Sequence, residues 1–202
     1  MIDNITFSLF SNPINVPVAS DTSVSVLQLE ALMKGDLEKV GSLSYEYLNL
    51  RTAEASADLS KKKELPYVTF SSLFDEGQLR RLDSSYYHTG LFVLDIDKID
   101  NAAEVFEKSV DWEHTVFSFI SPSKKGVKIV VKADLTETQI KDFGHSVVCS
   151  LMIELVEEVM GVSVDPLKDN TRACFITSTT DVWVNSKAKP IPVQEEDLRK
   201  PI

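Results

Sequence analysis

An α+β fold is what this sequence predicts, and three observations predict it. Apolar runs of strand length lie at residues 90–96, 114–120, 127–132 and 172–177. Stretches of helical periodicity near 101–110 and 137–160 fall between the first and second of these runs and between the third and fourth. Turn and cap residues separate the segments. The resulting order, β-α-β-β-α-β, is the split βαβ or ferredoxin/RRM-like arrangement, an antiparallel sheet with its helices on one face. Its strands lie in the order 4-1-3-2 counted within the unit, so the first strand is expected to be central.

Each element has a local reason. Gly90–Ile96 (GLFVLDI) is apolar enough for a buried strand, and Asn101 can cap a short amphipathic helix that turns Ala103, Val105 and Phe106 inward. His114–Ile120 and Val127–Lys132 are strands joined by the turn Ser121–Gly126. Thr136 with Gln139 forms a capping-box pattern that opens a long helix to about Met160, closed by Gly161. Arg172–Thr177 is the expected fourth strand.

Residues 1–66 are expected to be an α/β appendage packed on this unit. It holds a strand at Thr6–Phe10, a second near Val16–Ala19, and a helix from about Val24 to Lys34 capped by Asp21-Thr22-Ser23 and ended by Gly35. A second helical region runs from Asp36 through Leu48 to Ala57. Pro66 closes it, and Tyr67–Phe70 begins the main unit, 67–182, with a strand. Residues 183–202 form a C-terminal extension.

Composition narrows the class. The chain has 202 residues, 43% hydrophobic and 26% charged, which suits a globular protein with a substantial core. No apolar run approaches the ~18 residues of a membrane span, and MIDNITFSLFSNP lacks the features of a secretory signal. Cys149 and Cys174 are the only cysteines, sit in apolar stretches and show no zinc spacing. A reduced, cytoplasmic protein with no membrane partner is expected. The net charge of −10 argues against duplex binding over a broad basic surface. Lys61-Lys62-Lys63 and Arg80-Arg81 read as solvated clusters.

Three features meet in this topology. Strand side chains alternate, so Asp95 and Asp97 share a face with Val93, while Leu94 and Ile96 share the other, helix-covered face with Phe92. Paired acids on a strand repel unless a cation lies between them, and a hard divalent cation, Mg²⁺ or Mn²⁺, meets that need. Ser121, Ser123, Lys125, Gly126 and Lys128 make a small, basic turn able to bind phosphate oxygens, with Gly126 permitting close backbone approach. Asp165 of VSVDPLKDNTR arrives beside the first strand, and Arg172 can reach a phosphate or an acid. Taken singly, the acids can be solvated strand ends and the turn an ordinary hairpin. Taken together, Asp95, Asp97 and Asp165 are candidate metal-holding and catalytic residues, and Asp95 reads as an exposed acid of little weight for stability.

This combination resembles the palm of the archaeo-eukaryotic primase superfamily, which includes primase-polymerases: a strand ending D-x-D, a Ser-x-x-Gly-x-basic hairpin, then an apolar-Asp motif. More closely, Lys63–Ser71 (KELPYVTFS), Thr89–Asp97 (TGLFVLDID) and Ser121–Lys128 (SPSKKGVK) resemble the VirE-like N-terminal domain of bacterial mobile-element proteins. The likeness runs from about Leu27 to Thr177. It implies a metal-dependent palm using Asp95, Asp97 and Asp165, with a nucleoside triphosphate or single-stranded nucleic acid near Ser121–Lys128 and Arg172. It also implies a helicase-like or other replication module as partner. Two positions depart from the pattern: Lys128 stands where many primase-polymerases carry His, and Ser71-Ser72 where relatives often have Ser-Gly.

Three functions are therefore weighed. The first is a nucleotidyltransferase of primase-polymerase type, and the second a noncatalytic module that binds nucleic acid or protein through an open sheet face. The third is a structural domain with solvated acids. Phe92, and with it Phe119, are expected on the helix side, which counts against base stacking on the open face.

Overall fold

The structure, a computed structural model, describes residues 2–11, 14, 22–37, 39–40, 43–75, 77–81 and 86–198. The N-terminal part contains β1 (Thr6–Phe10), β2 (Thr22–Ser25), α1 (Val26–Lys34), β3 (Lys39–Val40), β4 (Leu43–Ser44) and α2 (Tyr45–Ala57). β5 (Tyr67–Thr69), β6 (Ser72–Phe74) and β7 (Tyr86–His88) lead into β8 (Leu91–Asp97), α3 (Ala102–Asp111), β9 (Thr115–Ile120) and β10 (Gly126–Lys132). α4 (Glu137–Phe143), α5 (His145–Met160), β11 (Cys174–Phe175), β12 (Val182–Val184) and α6 (Glu195–Leu198) complete the chain.

The fold is α+β with antiparallel sheets, as expected. β8 pairs with β10, and β10 with β9, all antiparallel. Phe92, Leu94 and Ile96 of β8 join Val127, Ile129 and Val131 of β10 in one apolar cluster with Val105 of α3 and Val148, Met152 and Val156 of α5. The period-2 alternation thus sends the helix-facing residues where the sequence predicts.

Several expectations need correction. The long helix over 137–160 is broken at Gly144, which sits at φ 88°, a conformation glycine adopts without strain, and its N–H bonds Ile140 O. Residues 172–177 do not form a fourth strand beside β8. Only Cys174–Phe175 is strand, and it pairs with β5 in a second sheet of order β11-β5-β1-β2. Phe175 gains the edge of the Tyr67 ring there, at 6.1 Å. The fourth strand of the main sheet is instead β12, on the far edge against β9, so β8 is an edge strand and not a central one.

In the N-terminal part, the cap of α1 is Ser25, in a capping box with Gln28, and residues 22–25 are strand. The helix expected from Asp36 begins only at Tyr45, after the β3–β4 pair. The strand expected near 16–19 and the cap residue Asp21 lie outside the described residues.

Phe117 and Phe119 lie on the face opposite the helices, contrary to expectation for Phe119. They share an apolar cluster with Val93 and Val130 of the main sheet, with Phe7 and Leu29 of the N-terminal part, and with Phe70, which follows β5. Phe70 and Phe117 stand with ring centroids 5.6 Å apart. That sheet face is therefore covered over Val93 and Phe117, and a cleft opens at its acidic end. At the other end of β8, His88 Nδ1 accepts the Gly90 N–H at 3.0 Å, and His88 Nε2 meets His145 Nδ1 at 2.8 Å. The His145 ring stacks on Phe92, centroids 5.0 Å apart.

Candidate functional site

The register of β8 and β10 sets the site. Lys128 stands opposite Asp95, and Gly126 opposite Asp97. Asp95, Asp97 and Lys128 alternate to the face away from the helices. Asp165 reaches them without a strand: its N–H bonds Asp95 O at 2.8 Å and so docks the loop on the free edge of β8. Its Oδ1 accepts the Leu167 N–H at 3.0 Å, which fixes the carboxylate in a local turn. The three carboxylates offer oxygens that all lie within 4.8 Å of one another.

Two cations hold these acids. Lys128 Nζ contacts Asp95 Oδ1 and lies 3.4 Å from Asp97 Oδ1. Arg172 Nη2 bridges Asp95 Oδ2 at 3.1 Å and Asp165 Oδ2 at 2.7 Å, while Nη1 donates to Leu167 O at 3.1 Å. Burial pushes the Lys128 ammonium down from its usual value to about 7. Burial alone would raise Asp165; the Leu167 amide, Arg172 and Lys128 outweigh it and hold its carboxyl below the ordinary value. Asp95 is not the exposed acid expected: its side chain is 12% accessible, against 41% for Asp97.

Asp95 and Asp97 open into a cleft of about 360 Å³, whose other walls carry Lys62, Arg80, Asp169 and Phe175. Arg80 is set by a bond from Nη1 to Thr171 O at 2.9 Å and lies 5.5 Å over the Tyr67 ring. Lys62 lies 5.8 Å over the Phe175 ring. Neither residue stood out in the sequence, where each sits in a short basic cluster that has the pattern of a solvated surface. The available signal was their place within the segment that also holds KELPYVTFS. Ser72, at one of the departing positions, donates from Oγ to Asn170 O at 2.6 Å and so pins the loop that carries Arg172.

The hairpin divides. Ser123 and Lys125 line a neighbouring hollow of about 220 Å³ with Lys62, Lys98 and Asp97. Ser121 is buried behind the turn, its Oγ 3.1 Å from Ser123 Oγ. In the free protein the Lys128 ammonium rests on Asp95 and Asp97. The space beside Gly126 is taken by β8: a Cβ there would lie 2.6 Å from Ile96 O, 2.9 Å from Asp97 Oδ1 and 3.1 Å from Ser121 Oγ. Gly126→Ala is therefore expected to cost about 1–3 kcal/mol, the usual range for overpacking, by parting β8 from β10. Urea denaturation checks this, and wild-type stability in the variant would mean that the strand pair gives way at no cost.

The cluster of Asp95, Asp97 and Asp165 can hold a metal ion. Its donors are hard oxygens, the set preferred by Mg²⁺ and Mn²⁺. Ligand oxygens roughly 2.1 Å from one ion stand no more than about 4.2 Å apart. The acids would therefore close in slightly, and the ammonium of Lys128 would have to leave Asp95 Oδ1. No helix among the described residues is long and apolar enough to cross a membrane.

In comparison with known proteins, the family model described as BT4734-like, N-terminal domain, matches residues 60–182, more than half of the chain. No curated protein and no solved structure matches.

Proposed function

Because this chain belongs to the BT4734-like N-terminal domain family over the residues that carry the whole acid and cation cluster, we propose that the site is what the family's segment builds. In this reading it is a nucleotide-binding site of primase-polymerase type, with Asp95, Asp97 and Asp165 taking Mg²⁺ or Mn²⁺ together with a ligand's phosphates. The observation that carries this reading is the meeting of carboxylates from residues 95–97 and 165 at the mouth of a cleft otherwise rich in cations. Support for a palm comes from the β9-β10-β8 order with α3 and α5 on one face. The placement of the fourth strand departs from the ferredoxin-like pattern.

A divalent cation bound here would neutralise phosphate charge and activate a hydroxyl nucleophile. The chain's own residues do the rest. Lys62 and Arg80 face the cleft and balance the negative charge of a phosphate chain. Lys125 and Ser123 line the adjoining hollow, where a second stretch of phosphate or a strand end can lie. The nucleoside triphosphate and single-stranded nucleic acid are the ligands implied, and a helicase-like or other replication module of a mobile element is the partner.

A second reading, a noncatalytic binding module, is favoured by one observation: Lys128 and Arg172 already satisfy the acids. The test is Mn²⁺-dependent triphosphate binding and nucleotide incorporation on a primed template. Asp97→Ala is the variant of choice because Asp97 is half exposed, whereas removing Asp95 strands two buried cations. Incorporation lost in Asp97→Ala is the expected result. Binding without incorporation on any template establishes the module instead, and absence of both binding and incorporation sinks both readings.

A further inference from the structure

The two cations on the acids are not equivalent. Arg172 is anchored by three acceptors, Asp95 Oδ2, Asp165 Oδ2 and Leu167 O, and its Nη1 contact with the backbone fixes the guanidinium plane. Lys128 touches only carboxylate oxygens, Asp95 Oδ1 and Asp97 Oδ1. Asp95 Oδ1 is the oxygen through which Asp95 would share a metal with Asp97, since Asp95 Oδ2 is committed to Arg172. An ammonium and a divalent cation cannot both sit there: like charges repel, and the donor is the same atom. Lys128 also lines the cleft. Its flexible stem can carry the ammonium off the acids, whereas the forked, anchored guanidinium of Arg172 stays.

We propose that Lys128 is a built-in competitor for the metal position. Its ammonium occupies the place between Asp95 and Asp97 in the free protein. A phosphate-bearing ligand in the cleft offers that ammonium other oxygens and so clears the place for the ion. Metal and phosphate then bind with mutual reinforcement, and the free protein holds a divalent cation weakly, because only the fraction with Lys128 displaced is competent. This inference rests on the metal-site reading above, and its test separates the two.

The experiment is Mn²⁺ titration of the full chain at one fixed pH, followed by electron paramagnetic resonance, with thermal unfolding recorded on the same samples. Lys128→Met removes the charge and keeps the length of the stem, and Lys128→Gln is the second variant. The expected result is Mn²⁺ binding about tenfold tighter or more in Lys128→Met than in wild type, with a thermal midpoint that Mn²⁺ raises far more in the variant. Lys128→Arg, which keeps the charge, should bind Mn²⁺ as weakly as wild type. If wild type and Lys128→Met bind Mn²⁺ equally, the competitor role is overturned and the metal site stands. If neither binds, both fall. Should both uncharged variants unfold in buffer, recovery of the fold on adding Mn²⁺ is the expected outcome, and failure to recover it overturns the proposal.

Discussion

Acidification from about pH 7 to about pH 5 removes several kcal/mol of stability, at up to ~1.4 kcal/mol per pH unit for each proton that only the unfolded chain takes up, and the His88–His145 pair is responsible for much of it. Burial, reinforced by the neighbouring His145, pushes His88 down from 6.5 to about 3, against the pull of Glu137. Burial pushes His145 from 6.5 down to about 4, opposed by Asp169. The hydrogen bonds show why. His88 Nδ1 accepts from the Gly90 amide, so its single hydrogen is on Nε2 and is donated to His145 Nδ1. A proton added to either ring has no acceptor in that chain. Lys132 and Lys141 add like charge near His88. The sign follows: both folded values lie below the unfolded one. The contribution is therefore complete above pH 6.5 and drains away as pH falls from 6.5 towards 4 and then 3. Urea titrations at the two pH values measure it. His145→Phe, which keeps the stack on Phe92, should lose markedly less stability on acidification than wild type. An equal loss in both would place the effect elsewhere, in the carboxylates.

Phe117→Ala is expected to cost about 3–5 kcal/mol, the range for deleting a large buried aromatic. Phe117 is fully buried in β9, with ring centroids 5.6 Å from Phe70 and 5.9 Å from Phe119. Its neighbours belong to both sheets, because one apolar cluster runs from Phe7 and Leu29 through Phe70 to Val93 and Val130. The loss should consequently appear as one shifted transition, in which the N-terminal part and the main sheet unfold together. Two separate transitions, with only the later one moved, would show that the sheets fold independently and that this cluster is not a shared core.

The alternation of β8 was legible because a strand buried on both faces still repeats every second residue. Phe92, Leu94 and Ile96 could be assigned to the helices and Asp95 and Asp97 to the other face. The cap at Thr136 and Gln139 was legible because it is local. What failed depends on distant partners. Nothing in Cys174–Phe175 says that β5 offers a better edge than β8, and Val182–Val184 is too short to announce a strand. The convergence of the acids was predicted from a fourth strand that is not there, and it is realised through the Asp165 N–H and Asp95 O instead. Residue types alone do not reveal that Lys128 stands opposite Asp95; that register is a nonlocal pairing of β8 with β10. Lys62 and Arg80 were hidden for the same reason.

The pairing of Lys128 with Asp95 also bears on the order in which the chain is made. β8 and β10 lie within residues 91–132, and the third acid arrives more than thirty residues after Lys132. A nascent chain therefore emerges from the ribosome with two neighbouring carboxylates and, after α3 and β9, with the ammonium that quiets their repulsion. These strands can zip up before Asp165 or Arg172 has been synthesised, and without waiting for an ion from solution. The later segment then adds a carboxylate and a guanidinium together, and Arg172 bridges Asp95 and Asp165, so the second stage supplies the cation that the third acid needs.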